Sequence, residues 1–189
     1  MGIQQWGSGV LMAAGLTLLP VGSFVLDPTA SEVTFSVADN QGGFVGVAPD
    51  VQATAVVREE DGTFVADVDV RIETRTITTH FGLRDNQMHR EFLLTDRYPV
   101  MTFRGTVVPT GSVATVSFGA VAKGELTIKG TTRAIEFPVR VIALRDSYLV
   151  DGKVTIRMTD FAIPVPRFFI FVAEDPVEIS MRVRFVAPL

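Results

Sequence analysis

From Phe24 to Phe185 apolar and polar residues repeatedly alternate one for one, and a period of two is useful only to a β-strand with one face on a core and the other in water. The clearest run sets Phe64, Ala66, Val68, Val70 and Ile72 against Asp67, Asp69, Arg71 and Glu73. The same pattern gives inward faces of Val33, Phe35 and Val37, of Val51, Ala53, Ala55 and Val57, and of Met101, Phe103, Gly105 and Val107. A long strand or strand pair then runs to Ile128, followed by Ile135, Phe137, Val139, Val141 and Ala143. Val154, Ile156 and Met158, and finally Val177, Ile179, Met181, Val183 and Phe185, complete eight strands. Asp61-Gly62, Thr110-Gly111, Lys129-Gly130 and Arg145-Asp146-Ser147 supply turn residues between them.

Alternation fails after Thr78. Asp85 to Leu94 reads as a short helix after the third strand, with Asp85 placed to cap its first amides and Met88, Phe92 and Leu83 turned inward. Tyr98-Pro99 restores extended backbone, because the residue before proline is disfavoured in the helical region.

Long strands with one polar face fit an antiparallel barrel better than an open sandwich, which would expose long edges. The expectation is an all-β fold, an eight-stranded antiparallel barrel, in one domain. Ala53, Ala55, Ala66, Gly105, Ala120 and Ala143 are small inward residues, so the chain's own side chains are not expected to fill the interior. The stretch from Phe161 to Val172 is nearly all apolar but holds Pro164 and Pro166, which rules out a regular central strand. Its composition suits barrel closure, the wall of an entrance, or membrane contact through exposed aromatics.

A net charge of −4 argues against a nucleic-acid partner, which needs a basic face. With 0 cysteines, disulfides, thiolate metal sites and cysteine nucleophiles are excluded. The chain carries no G-x-S-x-G elbow, H-E-x-x-H pair or phosphate-binding glycine loop, so no catalytic or metal-ligating set and no cofactor are expected. His80 and His89 do not fall on one helical face. Arg84 and Asp85 form the most suggestive polar pair, fit either to hold a ligand headgroup or to act as a cap and salt bridge. Residues 10–19 are apolar yet shorter than the ~20 residues a membrane-spanning helix needs. With Pro20 and the small residues up to Ser23 they read as a signal peptide over residues 1–23, although Met1 to Gly9 lack Lys and Arg. A barrel over residues 24–189 of a periplasmic or secreted protein is the expectation, a cytoplasmic one the alternative.

Four segments together resemble the YceI-like, polyisoprenoid-binding family. They are Phe24 to Pro28 with Ser31 to Val37, Arg84 to His89 continuing through Phe92-Leu93 to Tyr98-Pro99-Val100-Met101-Thr102-Phe103, Gly124 to Arg133, and Thr159-Asp160-Phe161. The resemblance implies a lipocalin-like barrel, often periplasmic, that binds an isoprenoid or related long lipid without catalysis, for transport or storage. The pocket wall expected of it comprises Phe35, Val68, Val70, Met88, Phe92, Met101 and Phe103, with Phe137, Ile156, Met158, Phe161, Phe168, Phe169 and Met181. Arg84, Asp85 and His89 are the headgroup candidates. The same three would serve the alternative of an enzyme acting on such a lipid, and a stress-linked protein-interaction module is a third possibility. Asp39 to Pro49 is glycine-rich where relatives usually carry a more regular polar stretch.

Overall fold

The structure, a computed structural model, describes residues 20–188 apart from Ser112, Ala114 and Phe169. The leader expected over residues 1–23 therefore lies outside the described residues as far as residue 19. Residues Gly22 and Ser23 already belong to the first strand, opposite Val57 and Val56.

The barrel is built from β1 (Gly22–Leu26), β2 (Glu32–Asp39), β3 (Phe44–Val47), β4 (Val51–Glu60), β5 (Thr63–Glu73) and β6 (Val100–Pro109). It continues through β7 (Ser117–Ile128), β8 (Thr131–Ala143), β9 (Ser147–Arg157), β10 (Arg167–Phe168) and β11 (Phe171–Val186). Around the wall the order is β1-β4-β5-β6-β7-β8-β9-β11, and β11 returns to β1 through Val25 opposite Val186 and Leu26 opposite Phe185. Eight staves thus close on themselves. β1 and β2 share one stave, because both lie antiparallel to β11 with a single 3-10 turn at Pro28–Ala30 between them.

The eight alternating runs read from the sequence all form barrel strands with the expected faces inward. Val51, Ala53, Ala55 and Val57 are buried while Gln52, Thr54 and Val56 are exposed. Three strands were not foreseen, among them the two-residue β10 between Pro166 and the start of β11. β1 is short and cut off by Pro28, and β3 is a four-residue strand inside the glycine-rich segment. The helix follows the same Phe64–Ile72 run as expected, but that run is the fifth strand once β1 and β3 are counted.

Helix α1 spans Gly82–Gln87 and widens into a π-turn over Met88–Phe92. It begins three residues before Asp85, so Asp85 lies within the first turn and does not cap it; the N-cap residue is Phe81, without a side-chain bond. The glycine at 82, with the loop tied down at Thr78 and Thr79, lets the helix start earlier than the polar signal at Asp85 indicated.

The two ends of the barrel differ. β1 pairs with β4 only from Gly22 to Val25, after which β2 takes β3 as its neighbour instead. The wall parts there, bridged only by Val47 opposite Thr78 among the described residues. This parting, beside α1 and its π-turn, forms the mouth.

Outside, charged pairs link neighbouring strands: Arg58 with Asp67, Arg104 with Asp69, Lys123 with Glu136, Lys153 with Glu178 and Arg182 with Asp151. Asp67 and Asp69, which share a strand face, are therefore partners of arginines on the outer wall. Gly105 and Gly124 face each other across β6 and β7, where a Cβ on either would meet backbone of the other strand.

Candidate ligand cavity

Inward side chains alternate down every stave, so the cavity is a direct product of strand periodicity. It has two adjoining parts, with Val33, Ile72 and Ile179 on the wall of both. The inner part, about 200 Å³, is lined by Ala53, Ala55 and Ala66 together with Val68, Val70, Phe103, Phe137 and Met181, among others. Every lining side chain there is apolar except Tyr148, whose hydroxyl donates to the Pro20 carbonyl. Burial pushes the Tyr148 phenol up to about 12, so the inner wall stays uncharged.

The outer part opens at the mouth and holds about 1030 Å³. Phe35, Met88, Phe92, Met101, Ile156 and Met158 line it, as the sequence led one to expect. Phe44 of β3, Phe81 and Ile163 join them, and these were missed. Phe44 and Ile163 sit in the two segments that lack regular alternation, and only the presence of apolar residues beside Gly42-Gly43 and Pro164 could have pointed to them. Leu83, expected to face inward, reaches the rim and is 77% exposed.

Other expected residues fall elsewhere. Phe161 is 1% exposed, packed in the core at the end of the 3-10 turn Met158–Phe161, and lines neither part. That turn is anchored by Asp175, whose carboxylate accepts from the Thr159 amide and hydroxyl. Phe169 lies outside the described residues, and of Phe168 only its place in β10 is described. Of the small inward residues, Ala120 and Ala143 are packed in the core and Gly105 meets Gly124, so the inner space depends on Ala53, Ala55 and Ala66.

Arg84 and Asp85 are not a pair. Asp85 turns away from the cavity and accepts from the Thr78 hydroxyl, the Thr79 hydroxyl and the Thr79 amide. Burial works against its ionisation, but those bonds outweigh it and hold the carboxyl below its usual range. Arg84 instead lies over the Phe44 ring at 4.1 Å and the Phe81 ring at 5.5 Å, on the wall of the outer cavity. Cation–π contact leaves the guanidinium's hydrogen-bond donors free for another group. His89 sits in the π-turn but lines neither part of the cavity, and its Nδ1 is buried without a hydrogen-bond partner. His80 is exposed, and among the described residues no cluster of His, Asp and Glu could hold a metal ion.

A closed eight-stranded barrel with an apolar interior and one parted end defines a lipocalin-like binding fold. Residues 24–185 match the profile of the YceI-like domain, and the chain belongs to that family. Among solved structures it is similar to Burkholderia cenocepacia BcnA, at 19% identity and a TM-score of 0.71 over 84% of this chain and 98% of that one. It is similar also to a polyisoprenoid binding domain from Saccharophagus degradans implicated in plant cell wall breakdown, at 16% identity and a TM-score of 0.67 over 89% of this chain and 100% of that one. A Campylobacter jejuni YceI protein gives 19% identity and a TM-score of 0.59 over 76% and 85%. A search of curated proteins finds no match. At these identities the solved structures establish the shared fold.

Proposed function

We propose that the protein binds a long apolar lipid of the isoprenoid type, the tail in the inner and outer cavity and the headgroup at the mouth near Arg84, and that it carries or stores that lipid outside the cytoplasm. The observation that carries this reading is the inner cavity, in which no polar side-chain group is left without an occupation. Such a wall offers nothing to a polar ligand, whereas each buried methylene of a hydrocarbon gains about 0.8 kcal/mol. The relative described as a polyisoprenoid binding domain supports the tail chemistry. Export rests on the apolar residues 10–19 alone.

The outer cavity supplies what the inner one lacks. Arg84 reaches it with donors free, so a headgroup carrying phosphate or carboxylate finds a bidentate partner there. Asp85 serves by fixing the loop that carries Arg84, and touches no ligand.

The test is a titration of delipidated protein with a polyprenyl alcohol and with its phosphate. Ala55→Phe, which fills the inner cavity, is expected to weaken both by roughly tenfold or more, the loss of one or two buried methylenes' worth of space or greater. Arg84→Gln is expected to weaken the phosphate and leave the alcohol within about twofold, since one charge-assisted bond is worth about 1.5–3 kcal/mol and the tail contacts are unchanged. Unaltered binding by Ala55→Phe would place the tail elsewhere.

A further inference from the structure

The rim of the mouth carries apolar side chains that protect nothing. Leu83, at 77%, and Ile170, at 68%, have the highest exposures of the large hydrophobic residues described, and Phe81 is exposed to 52%. Phe81 and Leu83 lie at the start of α1 and on the wall of the outer cavity. Ile170 lies at the turn between β10 and β11, and Asn40 holds that turn at the mouth, donating to the Ile170 carbonyl and accepting from the Val172 amide. Pro166 and Ala173, on either side of the turn, line the outer cavity as well.

Cations on the outer surface are of two kinds, those paired across strands and those, such as Arg71 and Arg157 on the wall, without an ion-pair partner among the described residues. Five wall cations, Arg58, Arg104, Lys123, Lys153 and Arg182, are each within ion-pair distance of a carboxylate on a neighbouring strand. Arg84 and Arg90, both on the wall of the outer cavity, have no such partner among the described residues. Asp39 and Glu91 contribute negative charge to the same cavity wall, but neither is within ion-pair distance of Arg84 or Arg90; Asp39 accepts from the Gln41 and Gly43 amides, Glu91 from the Gln87 side chain, and Asp85 from Thr78 and Thr79.

We propose that this rim docks the barrel, mouth first, on an anionic lipid bilayer, with Phe81, Leu83 and Ile170 entering the headgroup region and Arg84 and Arg90 meeting lipid phosphates. The inference rests on the lipid-binding reading above, since a ligand nearly insoluble in water must enter and leave from a bilayer, and the rim surrounds the opening it would use. Apolar side chains flanked by arginines are the combination that holds a protein at a membrane interface. The chain's net charge of −4 opposes approach to an anionic surface, so attachment is short-ranged and depends on these few residues.

Vesicle flotation tests this, using a chain that begins at Pro20. It keeps every strand that closes the barrel and omits the apolar residues 10–19, whose own affinity for lipid would mask the rim. The expected result is flotation with vesicles of phosphatidylcholine mixed with phosphatidylglycerol, several-fold less with phosphatidylcholine alone, and release at high salt. Leu83→Asp combined with Ile170→Asp is expected to lower binding by roughly tenfold or more, as each side chain withdrawn from apolar surroundings forfeits at least that. Val116→Asp, at an exposed position at the opposite end of the barrel, is expected to float like the parent. No flotation of the parent, equal loss in Val116→Asp, or sedimentation as a dimer that Leu83→Asp dissociates would each overturn docking. Loading from detergent solution reads the lipid-binding proposal separately: protein that loads but does not float refutes docking alone.

Discussion

Asp85 carries out a positional task at the scale of one residue, joining the loop after β5 to α1 through three hydrogen bonds. Asp85→Ala is expected to lower stability by about 1–2 kcal/mol in urea unfolding, the usual worth of charge-assisted bonds of this kind. Because the folded carboxyl titrates below the unfolded one, its contribution is complete above the ordinary carboxylate value near pH 4 and is lost as pH falls through the lower, folded value. The Thr79 amide resonance, followed by NMR through this acid range, should shift with that lower midpoint and not near pH 4. A second single-residue constraint lies in the wall. Gly105→Ala puts a methyl group against the Lys123 carbonyl and Gly124, and about 1–3 kcal/mol of destabilisation is expected in thermal unfolding. In the sequence, Gly105 is one more small inward residue, and nothing local marks its partner. Likewise the adjacency of Arg84 and Asp85 reads as a pair, whereas in the fold a helical start at Gly82 sends one to the cavity and the other to the loop.

Among the elements, those with sustained alternation were legible because their faces are dictated by burial. β1 and β3 were not. β1 has five residues before Pro28 and owes its place to pairing with β4 and β11, while β3 has four and leans on β2. Neither carries enough period to stand out, and both are fixed by partners distant in sequence. Tyr148 of β9 shows how such a short element is held, packing edge-on against Phe24 of β1 at 5.1 Å and donating to Pro20 just before it. Its phenol is raised above the unfolded value near 10, so the stabilising neutral form persists in the fold while the unfolded chain ionises. Stability is therefore expected to be undiminished by this group below about pH 10 and to decline from there toward the folded value of about 12. Tyr148→Phe should flatten that decline in denaturation curves taken across alkaline pH, and cost about 1 kcal/mol at neutral pH through the lost bond.

For the molecule as a whole, closure follows from the sequence because eight long strands with one polar face have few other ways to hide their edges. The location of the opening does not follow, since it depends on β2 pairing with β3 where β1, on the same stave, pairs with β4, a choice of partner that no local pattern records. The central claim is that the cavity holds a lipid. Native mass spectrometry of the protein purified without detergent from an isoprenoid-producing host, with organic extraction of what it carries, tests that claim most directly. The account predicts one prenyl-chain lipid per barrel, absent or strongly reduced in Ala55→Phe; a barrel that emerges empty and takes up no polyprenyl compound afterwards would contradict it.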